Sequence, residues 1–301
     1  MTSRSAYLPL SSGSGSGGRR HAAASAQRAA VSALCAAALA LIAGCSTGSG
    51  SSSMSPGATG PAGTATKLTP LRAIRLAGVE TQRVSSMAAT FSEQVGTAGS
   101  VNGTMQLRLK PKLLAHEILS SSIKGRSATV TEIVSAKAIY LKEPSNPTGK
   151  PWLEIRFSSL SGNLGKSLQS LLQSAQNGNP ATQTQMFAGS RDIHQVGTQV
   201  VNGVQTTHYA GTVTAAQALS KLSPAIRKGL APVLKRISGG IRFNVWIDGQ
   251  HHTRRLVVVE SVEGQTVTVT LNVTAVNQPV QITLPPRGQV TVMPASALRG
   301  L

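Results

Sequence analysis

A strict two-residue alternation of apolar and polar side chains runs through the last third of the chain and restricts its fold more than any other feature. Ile241, Phe243, Val245 and Ile247 alternate with Arg242, Asn244, Trp246 and Asp248. Val267, Val269, Leu271 and Val273 alternate with Thr266, Thr268, Thr270, Asn272 and Thr274. Successive side chains of a strand point to opposite faces, so these segments belong in a sheet with one apolar face. Asp248-Gly249 is a hairpin signal, a return strand follows over 256–260, and Glu263-Gly264 turns the chain again. A last edge strand is expected over 282–284, stopped by Pro285-Pro286.

The same period appears earlier. Met105, Leu107 and Leu109 oppose Gln106, Arg108 and Lys110, and further strands are expected over 88–95, 113–119, 128–134, 138–141, 152–157, 193–200 and 204–213. Helical signals differ. Thr69-Pro70 supplies an N-cap and an N1 proline for a helix to about Arg83. Leu164, Leu168, Leu171, Leu172 and Ala175 form one apolar stripe that ends at Asn177-Gly178. Thr214 to Gln217 is a capping box, and Ser223-Pro224 opens a helix carrying Ile226, Leu230, Val233, Leu234 and Ile237, divided near Pro232. No strand–helix–strand alternation occurs, so the class is α+β: a long antiparallel sheet with helices packed on one face.

The N-terminus reads as an address. Arg4, Arg19, Arg20 and Arg28 precede an apolar run over 29–44, which has the length of a signal-peptide core and is short for a transmembrane helix. Ile42-Ala43-Gly44-Cys45 resembles the bacterial lipobox, which implies cleavage before Cys45 and attachment of a diacylglycerol to its thiol. The only other cysteine, Cys35, lies within the segment to be removed, so no disulfide or thiolate metal site is expected. Residues 46–66 are rich in Ser, Gly, Thr, Ala and Pro and carry no charge, as a flexible tether does. The expected organisation is a signal peptide over 1–44, a lipidated N-terminus and linker over 45–66, and a folded domain over 67–301, held at the outer face of the cytoplasmic membrane.

Within that domain, the run Val201-Asn202-Gly203-Val204-Gln205-Thr206-Thr207-His208-Tyr209-Ala210-Gly211-Thr212-Val213 leads into helices. Phe243-Asn244-Val245-Trp246-Ile247-Asp248-Gly249 then forms the first strand after them. With Cys45 and the tether, this order resembles the LppX/LprG group of actinobacterial lipoproteins, which share a LolA-like half-barrel. The resemblance implies a sheet curved around helices on its concave face, and an acyl lipid or glycolipid held between them without catalysis. The candidate pocket residues are Leu164, Leu168, Leu171, Leu172, Ile226, Leu230 and Leu234 on helices, with Leu107 and Val245 opposite. With only two Trp, three Tyr and four Phe in the chain, such an interior must be lined largely by aliphatic side chains. Periodicity does not separate a cavity from a filled core. The same fold also suits a sensor that reports envelope stress through a protein partner.

Charge narrows the chemistry. The chain has 29 Lys and Arg against 10 Asp and Glu, a net +19, and its only aspartates are Asp192 and Asp248. Carboxylate-rich metal sites and paired-carboxylate chemistry are therefore disfavoured. Lys221, Arg227, Lys228, Lys235 and Arg236, and the cluster His251, His252, Arg254 and Arg255, suit either an anionic envelope surface or a solvated face. Nucleic acid is a poor partner because these patches lack interleaved aromatics. Ser121-Ser122-Ile123-Lys124 matches a short Ser-x-x-Lys motif, but it is expected in a turn and its partner motifs are missing. His251-His252 is a weak metal candidate, since adjacent strand residues face opposite ways and arginines flank them. His116, Glu117, His194 and His208 read as surface or pocket-rim residues. No enzyme activity and no cofactor are expected.

Overall fold

The computed structural model describes residues 68–294 except 124, 143–148, 161–185, 223, 225, 226, 228–230, 232 and 233. Helix α1 (Pro70–Arg83) starts where the sequence signals place it: the Thr69 hydroxyl accepts a hydrogen bond from the Arg72 N–H, and Pro70 occupies the first turn. Its buried face is Ala73, Ile74, Ala77 and Gly78.

Six strands follow as a meander: β1 (Ser86–Val95), β2 (Gly99–Arg108), β3 (Leu114–Ile123), β4 (Arg126–Ser135), β5 (Ala138–Lys142) and β6 (Trp152–Arg156). A second meander holds β7 (His194–Val201), β8 (Val204–Thr214), β9 (Ile237–Asp248), β10 (Thr253–Val262) and β11 (Gln265–Val276), with the short helix α2 (Ala215–Ser220) between β8 and β9. A short strand, β12 (Val290–Val292), ends the described chain. All twelve join in one open, curved sheet of order β12-β6-β5-β4-β3-β2-β1-β11-β10-β9-β8-β7. Every pairing is antiparallel except β12 on β6. The α+β class expected from the sequence is the one observed.

Turn chemistry sets the register. Asn202-Gly203 and Glu263-Gly264 both have positive φ at their two central residues (50° and 77°, 51° and 79°), the conformation that matches the twist of the strands they join. Asn202 also reaches across the sheet, donating from its side-chain amide to the Val273 carbonyl at 3.2 Å. The capping box on α2 is complete: the Thr214 hydroxyl accepts from the Gln217 N–H, and the Gln217 side chain accepts from the Thr214 N–H.

One face of the sheet carries the main apolar cluster. Ala89, Met105, Leu107, Ala115, Leu119, Val134, Leu141, Leu153, Tyr209, Val213, Phe243, Val245, Leu256, Leu271 and Val273 lie in it together with Ala73, Ile74 and Ala77 of α1 and Ala218 of α2. The other face bears a smaller cluster of Leu114, Ile133 and Ile282, with Tyr140, Trp152 and Val280 against it.

Three local expectations are corrected. Residues 282–284 form no strand. The chain from 277 to 286 has no regular secondary structure and lays Ile282 on the outer face of β3 and β4, and prolines 279, 285 and 286 supply no N–H to a ladder. Ile237 opens β9 rather than closing a helix. Ser121 and Ser122 lie inside β3, not in a turn, and the Ser121 hydroxyl donates to the Ala128 carbonyl at 3.4 Å.

Candidate functional site

The inner face can be followed strand by strand through the pairing registers. One row runs Tyr209, Val245, Leu256, Leu271, Phe91, Gly103, Leu119, Val130 from β8 to β4. Two glycines in the sheet make room for rings. A Cβ on Gly103 would stand 2.5 Å from the Phe91 ring, and one on Gly211 2.7 Å from the Phe243 ring. Phe243 is stacked in turn on Phe187, with centroids 4.3 Å apart.

The neighbouring row breaks the apolar pattern. It runs Val273, Ala89, Met105, Glu117, Glu132, Leu141, Leu153 from β11 to β6. Glu117 and Glu132 are direct cross-strand partners, exposed by only 1% and 0%. Directly opposite residues have Cβ atoms about 5 Å apart, so the two carboxyl groups share one site. None of their four oxygens has a hydrogen-bond partner among the described residues. Burial pushes the Glu117 carboxyl up to about 7; burial, and then the charge of Glu117, hold the Glu132 carboxyl well above the usual range. This is the paired carboxylate that composition argued against. Two more glutamates, Glu93 on β1 and Glu260 on β10, are held above the ordinary carboxylate range by burial, with the Glu93 charge adding to the effect at Glu260.

At the far end of the sheet a half-open cleft of about 280 Å³ opens between the start of α1 and the β8–β9 end, lined by Leu68, Ala73, Thr206, Tyr209, Ile247 and His251 among others. Its rim is the β9–β10 hairpin expected at Asp248-Gly249. Asp248 organises that loop. One carboxylate oxygen accepts from the Gln250 and His252 N–H groups at 2.9 and 2.8 Å, and the other from Arg254 Nε at 2.7 Å. Burial alone would raise the Asp248 carboxyl. The His252 backbone N–H, the Arg254 hydrogen bond and the charges of Arg254 and His252 outweigh it and leave the group below its ordinary value.

The basic residues marked in the sequence are largely engaged within the protein. Arg254 is tied to Asp248, Arg236 pairs with Glu263 at 2.8 Å, and Arg227 donates to the Leu219 and Leu222 carbonyls at the end of α2. Arg255 on β10 sits over the Trp246 ring at 5.0 Å, and His208 on β8 stacks on the same ring from the other neighbouring strand, with centroids 4.1 Å apart and planes 9° from parallel. His208 and Glu117 are thus interior residues rather than surface ones. Among the described residues no group of three or more His, Cys, Asp or Glu could hold a metal ion.

Of the candidate pocket residues, Leu107, Leu234 and Val245 are buried together in the main apolar cluster. Leu164, Leu168, Leu171, Leu172, Ile226, Leu230 and the lipidation candidate Cys45 lie outside the described residues. The sequence reading did not anticipate Glu132, which stood within an expected strand. The signal that could have paired it with Glu117 was Gly125, a turn residue between the two strands, since setting Ile123 opposite Arg126 sets 117 against 132.

Residues 163–282 match the LppX_LprAFG lipoprotein family, and the chain resembles the LppX/LprG-type lipoproteins. A 31.2 kDa uncharacterised protein of Streptomyces griseus is 24% identical over 182 residues, 56% of this chain, and the chain spans 57% of that relative's length. Among solved structures, the lipoprotein LppX of Mycobacterium tuberculosis is similar at 20% identity and a TM-score of 0.47, over 71% of this chain and 98% of the other. LprF of Mycobacterium bovis is similar at 14% identity and a TM-score of 0.43, over 72% and 96%.

Proposed function

We propose that this chain is a membrane-anchored extracytoplasmic lipoprotein that binds or carries a hydrophobic ligand, an acyl lipid or glycolipid, without chemistry on it. The observation that carries this reading is the inner side of the open, curved sheet: a buried apolar lining of Val, Leu, Met, Ala and Phe that continues across both meanders. An acyl chain laid on such a surface gains about 0.8 kcal/mol for each buried methylene, and aliphatic walls discriminate little between chains. The family match over 163–282 supports the same reading from the sequence side.

In this proposal residues 1–44 are the signal peptide, Cys45 is lipidated, 45–66 lift the domain off the membrane, and 67–301 form the binding domain at the outer face of the cytoplasmic membrane. The apolar residues Leu164, Leu168, Leu171, Leu172, Ile226, Leu230 and Leu234 of the helical segments cover the acyl chain from one side, and Leu107 and Val245 support it from the other. The exposed basic side chains that make no ion pair among the described residues, such as Lys221 and Lys235, would face an anionic envelope surface.

The test is native mass spectrometry with lipid extraction on the full chain, purified from a bacterial host that makes acyl lipids. Stoichiometric acyl lipid is the expected result. A clean apo mass, with no uptake of added fatty acid or phospholipid, overturns the carrier reading and leaves the partner-binding sensor of the same fold.

A further inference from the structure

We infer that the Glu117–Glu132 pair is the polar recognition point of the inner face, and that it takes a hydroxyl group of an amphiphilic ligand. The inference rests on the lipid-binding reading above and adds to it the class of ligand and the place where its polar end sits.

Three observations converge on the pair. First, it is placed in the middle of the apolar face. Its lateral neighbours in the row are Met105 and Leu141, and its neighbours along the strands on the same face are Ala115 and Leu119 on β3 and Val130 and Val134 on β4. Second, all four carboxyl oxygens are buried and lack a hydrogen-bond partner among the described residues. An unpaired buried polar group costs on the order of 1–3 kcal/mol, and a charged one more, so four such atoms in one place are a standing demand for a partner. Third, no described basic side chain answers that demand: the arginines nearest in sequence on this half of the sheet, Arg108 and Arg126, stand at strand ends, Arg108 facing outward opposite Leu114.

The chemistry of the pair selects the partner. Burial favours the protonated form of both carboxyl groups, so together they offer an O–H donor as well as acceptor oxygens. A hydroxyl group is both donor and acceptor and satisfies such a pair in both directions. A carboxylate or phosphate head is repelled by it. An ammonium amphiphile can only donate, and a chain with many more basic than acidic side chains repels it during approach. Glycerol hydroxyls of an acylglycerol and sugar hydroxyls of a glycolipid share the required chemistry.

The experiment uses the full chain with Cys45→Ser, so that it is handled without its own lipid. Binding is titrated by native mass spectrometry for three C16 probes: monopalmitoylglycerol, hexadecyl glucoside and methyl palmitate. The expected result is a preference of roughly tenfold for one or both hydroxylated probes over methyl palmitate, with the stronger of the two identifying the source. E117L/E132L removes that preference while methyl palmitate binds as before or more tightly, and E117Q/E132Q, which keeps donors and acceptors in place, retains part of it. Equal binding of all three probes to the parent chain, or a preference that survives E117L/E132L, overturns this inference and leaves the lipid-binding reading standing. Failure of all three probes to bind overturns both.

Discussion

Arg254 on β10 donates its Nε–H to the carboxylate of Asp248 at the end of β9 across 2.7 Å, and both side chains are largely withdrawn from solvent, at 16% and 4% exposure. The same carboxylate binds two N–H groups of the loop between them, so the hairpin is held by one anion at its centre. Asp248→Ala strands the Arg254 charge and two loop donors, and is expected to cost roughly 2–4 kcal/mol in denaturant unfolding. A double-mutant cycle with Arg254→Met checks that the coupling belongs to this pair; additive losses would show that it does not.

The pH dependence of stability has opposite signs at the two carboxyl sites. The Asp248 carboxyl is depressed, so its contribution is present above its ordinary value near 3.8 and is lost as the pH falls through the lower folded value. Glu117 is raised to about 7 and Glu132 is raised well above its ordinary value, so the native state holds protons that the unfolded chain has released. Their effect is full stability below 4.5 and a decline as the pH rises towards and through 7, by up to about 1.4 kcal/mol per pH unit for each group. In E117Q/E132Q, urea midpoints measured from pH 5 to 8 are expected to fall less steeply than in the parent chain, with Glu93 and Glu260 supplying the slope that remains.

Gly211 on β8 leaves the space that the Phe243 ring fills from β9, and Phe243 is only 1% exposed. Gly211→Val forces that ring off its place and is expected to destabilise the fold by about 1–3 kcal/mol. Phe243→Ala leaves a cavity instead and costs about 3–5 kcal/mol. Thermal unfolding of the pair of variants measures both, and a smaller loss in Gly211→Val/Phe243→Ala than the sum shows that the two changes meet at one spot.

Ile282 fastens the C-terminal segment to Leu114 and Ile133 on the outer face. Ile282→Asp places a carboxylate in that cluster and is expected to release residues 277–294 while β1 to β11 stay paired. Amide hydrogen exchange reads this directly: protection is lost at Val290–Val292 and at the β6 amides bonded to that strand, while the β6 amides bonded to β5 and those of β9 keep theirs.

The legibility of this fold in its sequence followed the exposure of its faces. Along β9 and β11 one face is apolar and the other polar, so the period of two was visible and the strands were placed within a few residues. β3 reads Leu114, Ala115, His116, Glu117, Ile118, Leu119, with no alternation, because both its faces are covered near its start: Ala115 by the main cluster and Leu114 by Ile282. A glutamate in such a strand passes for an outward residue, and so the pair with Glu132 stayed hidden. The 282–284 segment failed for a related reason. Its apolar residues meet the sheet as a strap across its face, a use that a strand pattern does not distinguish from pairing at its edge. The capping signals at Thr69 and Thr214 are local and survived intact.

The seam where β1 meets β11 joins the first strand of the chain to the last long one, and Ser85 is bound to Asn277 across 192 positions of sequence. Nearly the whole polypeptide must therefore have emerged from the ribosome or from an export channel before this seam can close. Until then β1 is a bare edge beside a half-built sheet, and loop-closure entropy over that span makes its capture late and slow. A nascent chain of this topology spends its vulnerable interval with six paired strands and an apolar surface awaiting the other five, so the time of greatest exposure to aggregation or to a chaperone is set by the position of β11 in the gene.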